Sequence, residues 1–301
     1  MTGFKHILVG IDFTRASEEA LATALRLARR DGARLTALHA SRSLDPLHGY
    51  SLPWETSSGL SDPHRLIALL EAELQNLVRE FSTQDLDLEH LVTIGEPAER
   101  VAQVAVERGC DLIVVASHGK GPVERALIGS TAEAIVRRAE VPVWITRPGF
   151  DRHASRVIVG VDLASPSAEA SLAFAAEQAR RDGASLDVVH VTRDPGDERL
   201  FTLASDEDQR HYRDLLAADA REKFDLLRQH LALEGLDPDT LETHLLQGKP
   251  DQALRAHAEL THADLIVVGR HSHGPLHAFF IGSTAERLLR QGTCGAVVVV
   301  P

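Results

Sequence analysis

Cysteine is nearly missing from this chain. Its 301 residues include only two, Cys110 and Cys294. They fit neither a metal-ligand spacing nor a disulfide framework, so both read as small buried hydrophobes and a reducing compartment is expected. Long apolar runs are missing too: none reaches the ~18 residues of a membrane span, so no membrane partner is expected. The chain enters an apolar strand soon after Met1, which predicts no signal peptide and a cytoplasmic location. No basic stripe is visible and the net charge is −12, which argues against a nucleic-acid partner and for solubility. Catalytic signatures are also absent. There is no Gly-x-Ser-x-Gly elbow, no His-Glu-x-x-His and no phosphate-loop lysine motif. No catalytic residue and no metal ligand set is therefore expected.

What the chain does have is a repeat. Asp111 to Arg137 reads DLIVVASHGKGPVERALIGSTAEAIVR, and Asp264 to Arg290 reads DLIVVGRHSHGPLHAFFIGSTAERLLR. The two align without a gap at an offset of 153 residues. Each runs from an apolar strand through a loop to a helix start. That order suits an anion. The first N–H groups of a helix lack intrahelical partners, the helix dipole favours negative charge there, and glycine allows close approach or positive φ. Hydrophobic content of 44% and charged content of 25% suit globular domains, and the length suggests about two of them.

The rest of the chain follows the same rhythm. His6 to Ile11 is an apolar run ending at Asp12, predicting a buried parallel strand. Arg15 to Arg30 carries Ala20, Leu21, Ala24, Leu25 and Ala28 at helical spacing and stops at Asp31-Gly32. Leu35 to Ala40 is a second strand, and Ser41 to Asp62 a loop or lid. Pro63 to Phe81 predicts a helix with Leu66, Leu69, Leu70, Leu74 and Leu77 on one face. Leu86 to Ile94, Pro97 to Arg108, the strand from Leu112, the helix from Ser130 and the strand Val143 to Thr146 complete a βαβαβαβαβ order. Such alternation implies a parallel sheet with helices on both faces. Arg147 to Ser155 reads as a linker, and the pattern restarts at Arg156 to Asp162. Residues 1–148 and 154–301 are thus expected to form two domains.

Several motifs admit two readings. Gly129-Ser130-Thr131-Ala132-Glu133 and Gly282-Ser283-Thr284-Ala285-Glu286 are identical. Ser-x-x-Glu can be a capping box that needs no ligand, or the helix start can hold phosphate. Asp12 and Asp162 can accept from a ribose or base at the strand ends, or cap the next helix. His39 and His190 lie inside apolar strands and read as core residues. His271, His273 and His277 suggest a metal only if helical, but Gly274-Pro275 reads as a loop. Lys120 can reach a phosphate or simply be solvated.

Both halves, end to end, resemble the universal stress protein family. The resemblance rests on the first strands ending in Asp, the ARRDGA sequence at Ala28 and again at Ala179, the His-containing ends of the second strands, and the glycine loops. It implies a doubly wound α/β fold, adenine nucleotide alpha hydrolase-like, with two tandem five-stranded parallel sheets of order 3-2-1-4-5. The implied ligand is ATP or another adenine nucleotide, with or without Mg. Implied adenine and ribose contacts are Asp12, Ala40 and Val115; implied phosphate contacts are Gly119, Gly129, Ser130 and Thr131. The matching positions are Asp162, Val191, Val268, Ser272, Gly282, Ser283 and Thr284. Nucleotide-binding relatives carry G-x-x-G before G-[ST]. Here the first half has Ala116 for the first glycine, whereas the second keeps Gly269 and has Ser272 for the second. The first half is therefore the expected better site. Relatives dimerise along the last strand, which implies that Val143 to Thr146 and Ala296 to Val300 pair the halves as a pseudo-dimer, with a further homodimer left open.

Three functions compete at this level: a nucleotide-binding regulatory module of the stress response, a slow ATP hydrolase, and a ligand-free interaction protein.

Overall fold

The computed structural model describes residues 3–42, 63–81, 85–117, 128–147, 153–163, 165, 167–192, 205–233, 241–270, 281–291 and 294–301. Gly119, Lys120, Ser272, His271, His273 and His277, and most of the predicted lid, fall outside them. The chain divides into two units, Thr2–Arg152 and His153–Pro301.

The first unit runs β1 (His6–Ile11), α1 (Arg15–Asp31), β2 (Arg34–Ser41), α2 (Pro63–Glu80), β3 (Leu88–Ile94), α3 (Pro97–Glu107), β4 (Leu112–Ala116), α4 (Ser130–Arg138) and β5 (Val143–Thr146). The second runs β6 (Arg156–Gly160), α5 (Ser167–Asp182), β7 (Ser185–Thr192), α6 (Asp206–Leu233), β8 (Leu241–Gln247), α7 (Pro250–Thr261), β9 (Leu265–Gly269), α8 (Ser283–Gln291) and β10 (Ala296–Val300). Within the units the strand orders are β3-β2-β1-β4-β5 and β8-β7-β6-β9-β10. Every pairing is parallel. This is the doubly wound 3-2-1-4-5 order, twice.

The helices form where the apolar spacing predicts. Thr14 caps α1 by accepting from Ser17 N, and Ala20, Leu21, Ala24, Leu25 and Ala28 are all buried. The apolar stripe of α2 passes through buried Leu74 and Val78, whereas Leu69, expected on that face, is 50% exposed. In the first unit α1 packs on β1 and β4, while α3 packs against α4 and the other layer of the sheet, as right-handed crossovers require. Among the described residues no helix is long and apolar enough to cross a membrane. Both cysteines are free and buried; burial, then the charge of Asp111, pushes the Cys110 thiol up to about 12.

Two repeated sequences now have a physical reason. ARRDGA ends a helix: Gly32 and Gly183 sit at φ 65 and 66, the left-handed region that glycine tolerates. The preceding Asp ties the strand entry, with Phe4 N donating to Asp31 Oδ2 at 3.1 Å and Ala154 N to Asp182 Oδ2 at 3.3 Å. The Asp of DLIVV does the same for the first strand. Asp111 accepts from Lys5 N at 2.7 Å, and Asp264 accepts from Ser155 N at 2.7 Å.

Candidate functional site

The sheet order fixes where a ligand can sit. Strand β1 lies between β2 and β4, and the chain leaves it in one direction and returns on the other. A crevice opens at such a switch point, outside the carboxyl ends of the strands. The register places the predicted residues there. Ile11 pairs with His39 and Val9 with Val114, so Asp12, Ala40 and Val115 end neighbouring strands. Ala116 closes β4, and Gly129, Ser130 and Thr131 begin α4.

Asp12 is held rather than loose. Its Oδ1 accepts from Thr14 N at 3.1 Å and from Thr14 Oγ1 at 2.5 Å. Thr14, not Asp12, is the N-cap of α1, so the capping alternative for this aspartate is not realised. Its Oδ2 has no partner among the described residues and remains open to a donor such as a ribose hydroxyl. Phe13 turns the chain immediately after it at φ 59, a costly conformation for a non-glycine residue. The Phe13 ring packs on His39 with centroids 4.5 Å apart, and His39 Nδ1 donates to Ile11 O at 2.8 Å. His39 is thus a core residue with a positioning task, and the half-buried His190 shares the task, its Nδ1 donating to Val161 O at 2.9 Å.

The helix starts are placed by a backbone clasp. Gly129 N donates to Ser117 O at 2.6 Å, and Gly282 N donates to Arg270 O at 2.7 Å. Each bond ties the amino end of a helix to the end of the adjacent strand. Gly129 is itself the N-cap, at φ −67, with no side-chain cap. The capping-box reading of Ser130 is therefore overturned: Ser130 is the first helical residue, and Glu133 pairs with Arg137 instead of reaching back. Positive φ is not what glycine supplies here either. The hydroxyls of Ser130 and Thr131 have no partner among the described residues, and Ser130 is exposed. The helix amides behind them favour an anion.

The second unit repeats this frame. Asp162 follows β6, Val191 lies near the end of β7, and Val268 and Gly269 end β9. Ser283 and Thr284 begin α8 after Gly282. Strand β6 stops at Gly160, short of the expected Asp162, which instead turns the chain by accepting from Ser165 N at 2.8 Å. Sequence reasoning passed over Gly10 and Gly160. A Cβ on Gly160 would meet Leu254 Cδ1 at 2.8 Å, so this glycine lets α7 approach the sheet. An isolated glycine inside an apolar strand was the available signal.

The chain belongs to the universal stress protein family, whose model matches residues 3–147 and again 153–301. It is 27% identical to a universal stress protein of Mycolicibacterium smegmatis, over 98% of this chain and 97% of that one. It is 25% identical to one from Mycobacterium tuberculosis H37Rv, over 97% and 96%. Among solved structures, a protein of unknown function from Pseudomonas aeruginosa PAO1 superposes with a TM-score of 0.70 at 18% identity, covering 99% of this chain and 93% of its own. A universal stress protein from Archaeoglobus fulgidus gives 0.67 at 20% identity, covering 98% and 97%. At these identities the structures show the fold.

Proposed function

We propose that the chain binds an adenine nucleotide such as ATP at the carboxyl edge of the first sheet and acts as a cytoplasmic stress-response module. The carrying observation is a juxtaposition across β1 and β4. Asp12 offers a carboxylate oxygen with no partner among the described residues on one side, and α4 offers its first amides and two hydroxyls without a partner among the described residues on the other. One suits a ribose, the other phosphates. Ala40 and Val115 provide the apolar strand ends between them. The nucleotide is expected with or without a divalent ion such as Mg on its phosphates. The second unit, with Ser272 in place of the motif glycine, is the weaker site. Asp162, Val191, Gly282, Ser283 and Thr284 would hold it.

The test begins with the purified protein: denature it and identify any released small molecule. Titration of nucleotide-free protein with ATP is expected to give micromolar affinity, roughly −8 kcal/mol. Gly129→Val should abolish most of that binding while Gly282→Val spares it; because φ is −67 at Gly129, the loss reports crowding rather than backbone strain. No released nucleotide and no heat with ATP would favour the ligand-free reading, and phosphate release over hours the hydrolase.

A further inference from the structure

Toward the opposite end of the second sheet lies a cluster that nucleotide binding leaves unused. Asp187 is the third residue of β7, about 13 Å along the strand from Val191. It is wholly buried. Arg156 Nη1 donates to its Oδ1 at 2.7 Å. Its Oδ2 faces two imidazoles: His257 Nε2 at 2.9 Å, from α7, and His244 Nε2 at 3.8 Å, from β8. The two rings lie 4.5 Å apart, centroid to centroid. One ligating atom from each of the three residues falls within 4.8 Å of the others. His244 Nε2 is a buried nitrogen with no hydrogen-bond partner.

The geometry points to a divalent transition-metal site, for Zn2+ above other ions, held by Asp187, His244 and His257. Two imidazole nitrogens and one carboxylate oxygen suit zinc, whereas Ca2+ and Mg2+ prefer oxygen alone. In a tetrahedral zinc site, bonds of ~2.0–2.1 Å put ligand atoms roughly 3.3 Å apart. The two separations from Oδ2, 2.9 and 3.8 Å, bracket that spacing, so small side-chain rotations close the site. Arg156 occupies Oδ1 and orients the carboxylate so that Oδ2 is the oxygen offered, as outer-shell groups do. Glu242 Oε2 lies 3.8 Å from His244 Nε2 on the exposed side, where it or a water can take the fourth position.

The first unit is a built-in control. Thr36, Leu91 and Val104 stand at the matching positions, and His6 stands for Arg156. His6 Nε2 there meets Thr36 Oγ1 at 2.8 Å, a hydrogen bond with no room for an ion's charge to be balanced.

The experiment strips the full chain with EDTA, then titrates it with ZnCl2 by calorimetry and melts it with and without zinc. One tight zinc per chain and a zinc-dependent rise in melting temperature are expected. His244→Leu and His257→Val, which import the first unit's residues, should each weaken binding by ~100-fold or more. Co2+ should give visible d–d absorption in the wild type and none in His244→Leu. Circular dichroism and an unchanged ATP titration verify that the variants fold. MgCl2 should give no shift. No zinc-dependent stabilisation of the wild type overturns the site, and so does an isotherm unchanged in both variants, which would place the ion on other histidines.

Discussion

At the third residue of its second strand the first unit has Thr36 and the second has Asp187. From that position the two units part company. In the first, a threonine hydroxyl and a histidine satisfy each other, and leucine and valine stand at the other two positions. In the second, a buried carboxylate gathers an arginine and two histidines. At the carboxyl ends of the strands the two frames agree closely: an aspartate after the first strand, a histidine donating to the backbone before it, and a helix clasped by a glycine amide. A duplicated fold can keep one end fixed for one task while the other end is free to acquire another.

Removing the carboxylate should break the comparison most sharply. Asp187→Ala strands Arg156 and His257 and is expected to cost about 3–5 kcal/mol in the second unit, while Thr36→Ala costs about 1 kcal/mol in the first. Urea unfolding resolved by unit checks this; equal losses would show that the cluster is not energetically coupled. A symmetrical pair calibrates the scale. Leu21 and Leu172 hold matching places in α1 and α5 and are both 0% exposed. Each Leu→Ala should cost about 2–5 kcal/mol, with the two values close, because both leave a cavity under a helix.

Ligand binding sharpens the comparison further. Asp12→Ala should weaken ATP binding by about 1–3 kcal/mol, read by calorimetry, and Asp162→Ala by less. The reverse order would move the principal site to the second unit.

The smallest effect concerns acid. Glu177 in α5 stands where the first unit has Arg26. Burial pushes its carboxyl up, but bonds from Arg180 and Arg181 outweigh burial and hold it below the ordinary 4.5. A depressed carboxylate contributes stability that is present above 4.5 and is lost as pH falls through its folded value. The second unit should therefore weaken more steeply than the first below that point, and Glu177→Gln should flatten the difference in thermal melts across pH.

The fold was largely legible because its signals are local. Apolar runs gave β1, β4 and β9, alanine and leucine spacing gave α1, and the repeat doubled every inference. The placement of Asp12 and Gly129 at the carboxyl edge was legible, because it follows from strand ends. Where local rules misled, a distant partner had intervened. Ser130 and Glu133 satisfy the capping-box pattern, yet Gly129 takes the N-cap position, with its amide committed to Ser117 O, and Ser130 becomes the first helical residue. The Asp187 cluster escaped notice because its members come from β7, β8 and α7 and each looks solitary in sequence. The available signal was an aspartate inside an apolar strand, which must find partners if buried.

The glycine clasps make the segment between strand and helix exchangeable. Ser117 joins Gly129 and Arg270 joins Gly282 at the same sequence spacing, so residues 118–128 and 271–281 are cassettes with identical attachment points. Swapping one for the other leaves both anchors intact. Eleven residues can then change together while the sheet that carries them stays unaltered.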